Sequence, residues 1–155
     1  MFTVREISDA ERKAQICGDV LRDLPNWFGI EEATQDYIDK SRSAPFFAAY
    51  NGDSPVGFIY LHVHNEHAVE LYCMGVQERY HRVGIGSLLT AAAEEYCRLN
   101  AHKFLTVKTL ADAHPDEGYR KTREFYYAKG FLPIEVFSDL WGEANPCLLM
   151  LKDLK

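Results

Sequence analysis

Val76-Gln77-Glu78-Arg79-Tyr80-His81-Arg82-Val83-Gly84-Ile85-Gly86-Ser87-Leu88-Leu89 joins an apolar run to a short polar loop and then to a segment with helical periodicity. Two glycines, one residue apart, stand at the entrance to that helix. The first turn of a helix leaves backbone N–H groups without intrahelical partners, and the helix dipole makes that end partly positive. A phosphate matches both properties. Side chains at the entrance would hold such a ligand off, which favours glycine at positions 84 and 86. His81 and Arg82 add cationic donors, and Arg82 can be bidentate. A rival reading is that Gly84 and Gly86 only let a helix pack closely on a sheet. Two glycines alone leave both readings open. The stretch is neither the dinucleotide fingerprint, which needs a third glycine, nor a P-loop, which needs Gly-Lys-Ser/Thr.

Working outward, Ile85, Leu88, Leu89, Ala92, Tyr96 and Leu99 recur at steps of three and four, so they read as one apolar helix face, with Asn100 as its stop. Before the loop, Phe2 to Ile7 reads as a strand, and Ser8 or Asp9 caps a helix that runs to about Arg22. Leu24 to Gly29 breaks that helix, and Glu31 to about Ser41 forms the next. Pro45 to Tyr50 and Val56 to His64 read as strands joined by an Asn51-Gly52-Asp53 hairpin turn. Ile59, Leu61 and Val63 fall on one face of the second strand; Phe58, Tyr60, His62 and His64 fall on the other. His67 to Val76 is the strand that enters the loop. Beyond the loop helix, Phe104 to Thr109 reads as a buried strand. Tyr119 to Lys129 reads as a helix stopped by Gly130, and Phe131 to Phe137 and Cys147 to Leu151 close the sheet. The order is β-α-α-β-β-β-α-β-α-β-β, an α+β or mixed α/β fold with a mostly antiparallel central sheet flanked by helices.

The 155 residues suit a single domain over 1–155 with a full core, and 47% hydrophobic content argues for compact folding. A net charge of −6 makes wholesale binding to nucleic acid or an anionic membrane unexpected. Cys17, Cys73, Cys97 and Cys147 form no CxxC and no metal-like cluster, so free thiols in a reducing cytoplasm are the simplest account. The early charges of Arg5 and Glu6 read against a signal peptide, and no apolar run is long enough to span a bilayer. His62, His64 and His67 invite a metal reading, but no acidic or thiolate ligand has matching spacing, and no metal is expected. Asp112, His114, Asp116 and Glu117 read as a solvated loop.

A second motif, Phe125-Tyr126-Tyr127-Ala128-Lys129-Gly130-Phe131, stands late in the chain. Together with His81-Arg82-Val83-Gly84-Ile85-Gly86 after Val76, it resembles the GNAT acetyltransferase superfamily. That family's loop reads Arg/Gln-x-x-Gly-x-Gly/Ala, and its later helix ends Phe/Leu-Tyr-x-x-x-Gly-Phe. The resemblance spans nearly the whole chain. It departs from the family at His81, where Arg or Gln is usual, at Tyr119, where Asn is usual, and at Thr122, where a small residue is usual.

The resemblance implies an acetyl-CoA donor, with CoA as product, and an amine acceptor, either a small molecule or a protein amino group. Backbone groups of Met74, Gly75 and Val76 would meet the pantetheine arm. Arg82, Val83, Gly84, Ile85, Gly86 and Ser87 would hold the pyrophosphate, with His81 as a further phosphate donor or else an exposed loop histidine. Tyr126 would lie near the thioester sulfur and protonate the leaving thiolate; the competing reading is a packed aromatic beside Phe125 and Phe131. Glu70 is the candidate base, direct or through water, on the strand face it shares with Tyr72 and Met74; a paired or solvated carboxylate competes equally. Trp27, Phe28 and Tyr37, with Tyr72, would line the acceptor site, and Asp36 would favour a cationic acceptor; helix packing is the alternative. Trp141 to Glu143 border the acceptor in the same reading. Cys73 reads as a core thiol rather than a nucleophile. A homodimer is common in the family. A non-catalytic acyl-CoA sensor or a partner-binding module on the same fold remains the alternative to an enzyme.

Overall fold

The structure is a computed structural model that describes residues 1–155. Its elements are β1 (Phe2–Glu6), α1 (Ala10–Arg22), α2 (Glu31–Ser41), β2 (Phe46–Asn51), β3 (Ser54–Val63), β4 (Ala68–Val76), a 3-10 turn (Glu78–Tyr80), α3 (Ile85–Leu99), β5 (Phe104–Leu110), α4 (Glu117–Ala128), β6 (Leu132–Phe137) and β7 (Cys147–Asp153). This is the expected order, with the 3-10 turn added. Seven strands form a sheet in the order β1-β2-β3-β4-β5-β7-β6. The β1/β2, β2/β3, β5/β7 and β6/β7 pairings are antiparallel. Contacts divide the chain into two compact units. The first is Met1–His62 with Leu71–Tyr96; the second is Val63–Glu70 with Cys97–Lys155. No helix is long and apolar enough to cross a membrane.

In the first unit, α1 starts because the Asp9 side chain accepts from the Arg12 amide at 2.8 Å, satisfying one of its orphan donors. Its buried stripe of Ile16, Cys17, Val20 and Leu21 meets Ile38 of α2 and the rings of Phe46, Phe58 and Tyr60 in one cluster. Phe46 and Phe58 stack at 5.4 Å, and the Tyr60 hydroxyl donates to the Tyr37 carbonyl at 2.9 Å, so no polar atom of that ring is wasted in the core. The β2–β3 hairpin turns at Gly52, whose φ of 62° is the left-handed conformation that the turn needs. The expected alternation in β3 is not a buried-versus-wet alternation: Val56 to Leu61 are buried on both faces. Gly57 permits a close approach there. A Cβ at that position would stand 3.0 Å from the Gly75 carbonyl and 3.4 Å from Ile85.

The helix after the loop runs as expected, but its buried stripe does not. Ile85, Leu89, Ala93 and Cys97 are buried at i, i+4 spacing, while Leu88 and Leu99 are 41% and 76% exposed. Ala93 and Cys97 are small enough to lie against a neighbour, which rotates the face away from the larger leucines. Nor does Asn100 supply the stop. Ala101 takes the left-handed conformation (φ 60°), and the His102 amide returns to the Cys97 carbonyl at 2.8 Å.

In the second unit, α4 begins earlier than the pattern suggests, because Asp116 caps it by accepting from the Tyr119 amide at 3.1 Å. Asp116 and Glu117 therefore belong to a helix start rather than to a solvated loop. Asp112 is also engaged, in a 2.7 Å ion pair with the buried Arg123. The helix ends in a Schellman motif: the Phe131 amide bonds the Tyr126 carbonyl at 3.0 Å, and Gly130 (φ 94°) bonds Tyr127 at 3.0 Å. The apolar contact that accompanies this motif is Tyr126 against Phe131, with ring centroids 5.5 Å apart. The Tyr-x-x-x-Gly-Phe spacing is thus the spacing a helix end requires.

Candidate functional site

Arg82 (φ 64°) and Gly84 (φ 92°) both adopt left-handed conformations, and the Leu88 amide makes the first helical bond to the Gly84 carbonyl at 3.1 Å. Gly84 is therefore the N-cap of α3, and the amides of Ile85, Gly86 and Ser87 are its unpaired first-turn donors. A Cβ on Gly84 would meet nothing within 4 Å, so its dihedral rather than crowding demands glycine, and space lies open over the turn. Left-handed residues of this kind build the concave nests of N–H groups that bind anions. Arg82 and Val83 are exposed beside them.

His81 was expected either to donate to phosphate or to be an exposed loop histidine; it is half-buried, and its Nε2 is already engaged. That nitrogen lies 2.6 Å from the Val76 carbonyl, which can only accept, so the ring carries its proton on Nε2. The ring also stands edge-on to Trp27 at 5.6 Å. Only Nδ1 is left to reach a ligand, and one lone pair of the Val76 carbonyl, expected to face pantetheine, is occupied. Met74 and Val76 are half-buried on β4 and Gly75 is buried. A Cβ on Gly75 would stand 3.0 Å from Val20 and 3.3 Å from Phe58.

The residues expected to line an acceptor site separate into two groups. Phe28, Tyr37 and Tyr72 form a chain of edge contacts at 5.8 and 6.0 Å, whereas Trp27 turns to His81. All four are half-buried. Asp36 is taken by Lys40 in a 3.0 Å ion pair, so it is not a free anion for a cationic acceptor. The Lys40 ammonium also donates to the Tyr72 hydroxyl at 3.0 Å. The hydrogen bonds to Tyr72 and then Asp36 push its pKa up. Lys40 was missed, although it stands four residues after Asp36 on one helix, a spacing that brings opposite charges together.

In the second unit, Glu70 is paired rather than solvated: it is 5% exposed, and Lys108 donates to its Oε1 at 3.1 Å. His64 Nε2 lies 3.2 Å from the same oxygen. Lys108 was missed, although a lysine in the apolar run Phe104–Leu110 is itself a signal, since lysine is seldom buried unless paired. Tyr126 is 6% exposed, with ring centroids 5.5 Å from both Phe125 and Phe131. Burial raises the phenol pKa of Tyr119, and the Thr122 hydroxyl donates to Gly118 within the helix. Of the histidines that suggested a metal, His64 meets Glu70, His67 meets Glu66 at 3.3 Å, and His62 lies beside the Tyr72 ring. Cys73 is a core thiol, raised well above its usual range by burial and by its contact with Cys17.

A sequence model of the acetyltransferase (GNAT) family matches residues 14–131, a span that contains both the loop and the Phe125–Phe131 helix end. No curated protein matches the chain in sequence. Solved structures do match in fold. PaiA N-acetyltransferase from Thermoplasma acidophilum, in complex with coenzyme A, gives a TM-score of 0.70 at 18% identity, over 99% of both chains. The aminoglycoside 6'-N-acetyltransferase from Enterococcus faecium gives 0.78 at 18%, over 99% of this chain and 97% of that one. The ribosomal-protein-S18-alanine N-acetyltransferase from Escherichia coli gives 0.79 at 12%, over 100% and 95%. With the glycine turn at the start of α3 and the Tyr-x-x-x-Gly-Phe helix end both inside the matched span, the chain belongs to the GNAT acetyltransferase family.

Proposed function

We propose that the chain is an acetyl-CoA-dependent N-acetyltransferase that moves the acetyl group from the CoA thioester to a primary amine by direct attack. The observation that supports this most is the turn of Arg82 and Gly84 ahead of α3, with open space above it and three first-turn amides beneath. In this reading Met74, Gly75 and Val76 meet the pantetheine arm. The amides from Arg82 to Ser87, assisted by the exposed Arg82 guanidinium and by His81 Nδ1, hold the pyrophosphate. The Phe28–Tyr37–Tyr72 edge with Trp27 carries the acceptor, Glu70 and Tyr126 carry the proton chemistry, and residues 1–155 are read as a single domain.

The reaction needs a neutral amine, an oriented thioester and a proton for the departing sulfur. Orientation supplies most of the rate, with effective molarities of about 10⁵–10⁸ M in favourable cases. Glu70 takes the proton of the incoming ammonium, directly or through water. The amine lone pair then adds to the thioester carbonyl, the C–S bond breaks, Tyr126 protonates the thiolate, and the second proton lost by the nitrogen restores the phenol through solvent. Each proton transfer contributes about 10²–10⁴-fold. GNAT structures of this fold act on an aminoglycoside and on a ribosomal-protein alanine, so the acceptor is a small-molecule or protein amine. Four buried free thiols suit a cytoplasmic enzyme, and light scattering tests for a homodimer.

The test is a thermal melt with coenzyme A followed by thiol release from acetyl-CoA across a panel of amines. At about 100 times its dissociation constant, coenzyme A adds roughly 2.7 kcal/mol. An unmoved melt removes the donor assignment. Stabilisation without thiol release from any amine makes the chain a non-catalytic acyl-CoA sensor.

A further inference from the structure

Two nitrogens stand near a single oxygen of Glu70, and the Lys108 ammonium donates to it. Lys108 Nζ and His64 Nε2 stand 3.1 and 3.2 Å from Oε1, and Thr106 Oγ1 lies 3.4 Å from that His64 nitrogen. Thr106 and Lys108 are two residues apart on β5 and so share its face. The hydrogen bond from Lys108 is made to Oε1 and not to Oε2. A carboxylate held through one oxygen by this hydrogen bond cannot turn without breaking it, and the other oxygen is left to receive a proton. The third titratable group beside this pair is the buried Cys147 thiol of β7, which burial keeps neutral. A buried ion pair is weak evidence for a stabilising role, because apolar side chains of the same volume often serve stability as well.

We propose that Lys108 is a positioning residue for acetyl transfer: it anchors Oε1 of Glu70 so that Oε2 accepts the proton of the incoming ammonium. The inference rests on Glu70 being the base. The amine N–H bond breaks as the O–H bond forms at Oε2, and that proton returns to solvent through the same oxygen after the thiol has left. Lys108 itself transfers no proton.

The experiment uses the full chain, acetyl-CoA, and methylamine as probe acceptor, because the smallest alkyl amine fits any acceptor site. Thiol release gives kcat and KM, and a thermal melt shows that each variant folds. Lys108→Met, which removes the donor to Oε1, lowers kcat by about 10-fold or more and leaves KM for acetyl-CoA near wild type. Lys108→Arg and Lys108→Gln, which keep a donor, retain most of kcat, and Lys108→Leu covers the case in which Lys108→Met does not fold. In a Glu70→Gln background, Lys108→Met causes no further loss of rate. An unchanged kcat in folded Lys108→Met, or an equal loss in the Glu70→Gln background, overturns the proposal. A Glu70→Gln enzyme with a wild-type rate instead removes Glu70 as the base, a separate failure.

Discussion

Replacing Gly84 with alanine separates backbone strain from ligand binding. At φ 92° an L-residue is left-handed, which costs about 1–2 kcal/mol. Alanine also lowers the entropy of the unfolded chain, which returns about 0.4–1 kcal/mol. Nothing lies within 4 Å of the added methyl, so no clash is added. The net loss is about 1 kcal/mol, or roughly 2–4 °C in Tm for a chain of this length. The effect on the donor is larger. If the turn relaxes toward negative φ, the amides ahead of α3 no longer point together. Losing two charge-assisted hydrogen bonds to a pyrophosphate, at about 1.5 kcal/mol each, comes to about 3 kcal/mol. At 1.4 kcal/mol per tenfold, that is on the order of a hundredfold weaker binding of coenzyme A. Gly52→Ala is the control: it too is left-handed (φ 62°), and its added methyl also meets nothing, but it lies in the β2–β3 hairpin. Scanning calorimetry reads the stability of both variants, and titration calorimetry reads their affinity for coenzyme A. Gly84→Ala binding as tightly as wild type would refute the reasoning, as would an equal loss of affinity in Gly52→Ala.

Tyr126→Phe keeps the ring contacts with Phe125 and Phe131 and the helix-end hydrogen bonds, so the variant folds and binds coenzyme A while kcat falls by about 10²-fold; unimpaired turnover removes Tyr126 as the acid. Arg123, 5% exposed, donates to the Leu110 and Ala111 carbonyls at 2.8 and 3.2 Å and pairs with Asp112. Arg123→Met therefore costs on the order of 3 kcal/mol in urea denaturation, and a loss under 1 kcal/mol contradicts the structure. Burial and the Cys17 contact hold the Cys73 thiol neutral in the folded state, whereas the unfolded thiol ionises above about pH 8.5. The unfolded state then binds fewer protons, so stability declines as pH rises past that point. Cys73→Ala should flatten this decline in melts between about pH 8 and 10, and an unchanged slope assigns it to other groups.

Much of the fold was legible because its signals are local. Asp9 capping α1, the Asn51-Gly52-Asp53 turn and Gly130 stopping α4 each act within four or five residues, through backbone N–H and carbonyl groups that must find a partner nearby. The two motifs were readable for the same reason: a helix entrance and a helix end are short-range objects. The face of α3 was not. Leu88 and Ala93 both suit an apolar stripe, and only the neighbour against which the helix packs decides which is buried.

The sequence by itself determined the order of elements, the glycine turn and the tyrosine at the helix end, because periodicity and turn chemistry are written in consecutive residues. Tertiary structure alone decided that His81 stands against Trp27, that Lys40 reaches Tyr72, and that Lys108 finds Glu70 across 38 positions of chain. Such pairings depend on which strand lies beside which and in what register. That choice is made by burying the whole apolar surface at once, and no short window of residues contains it.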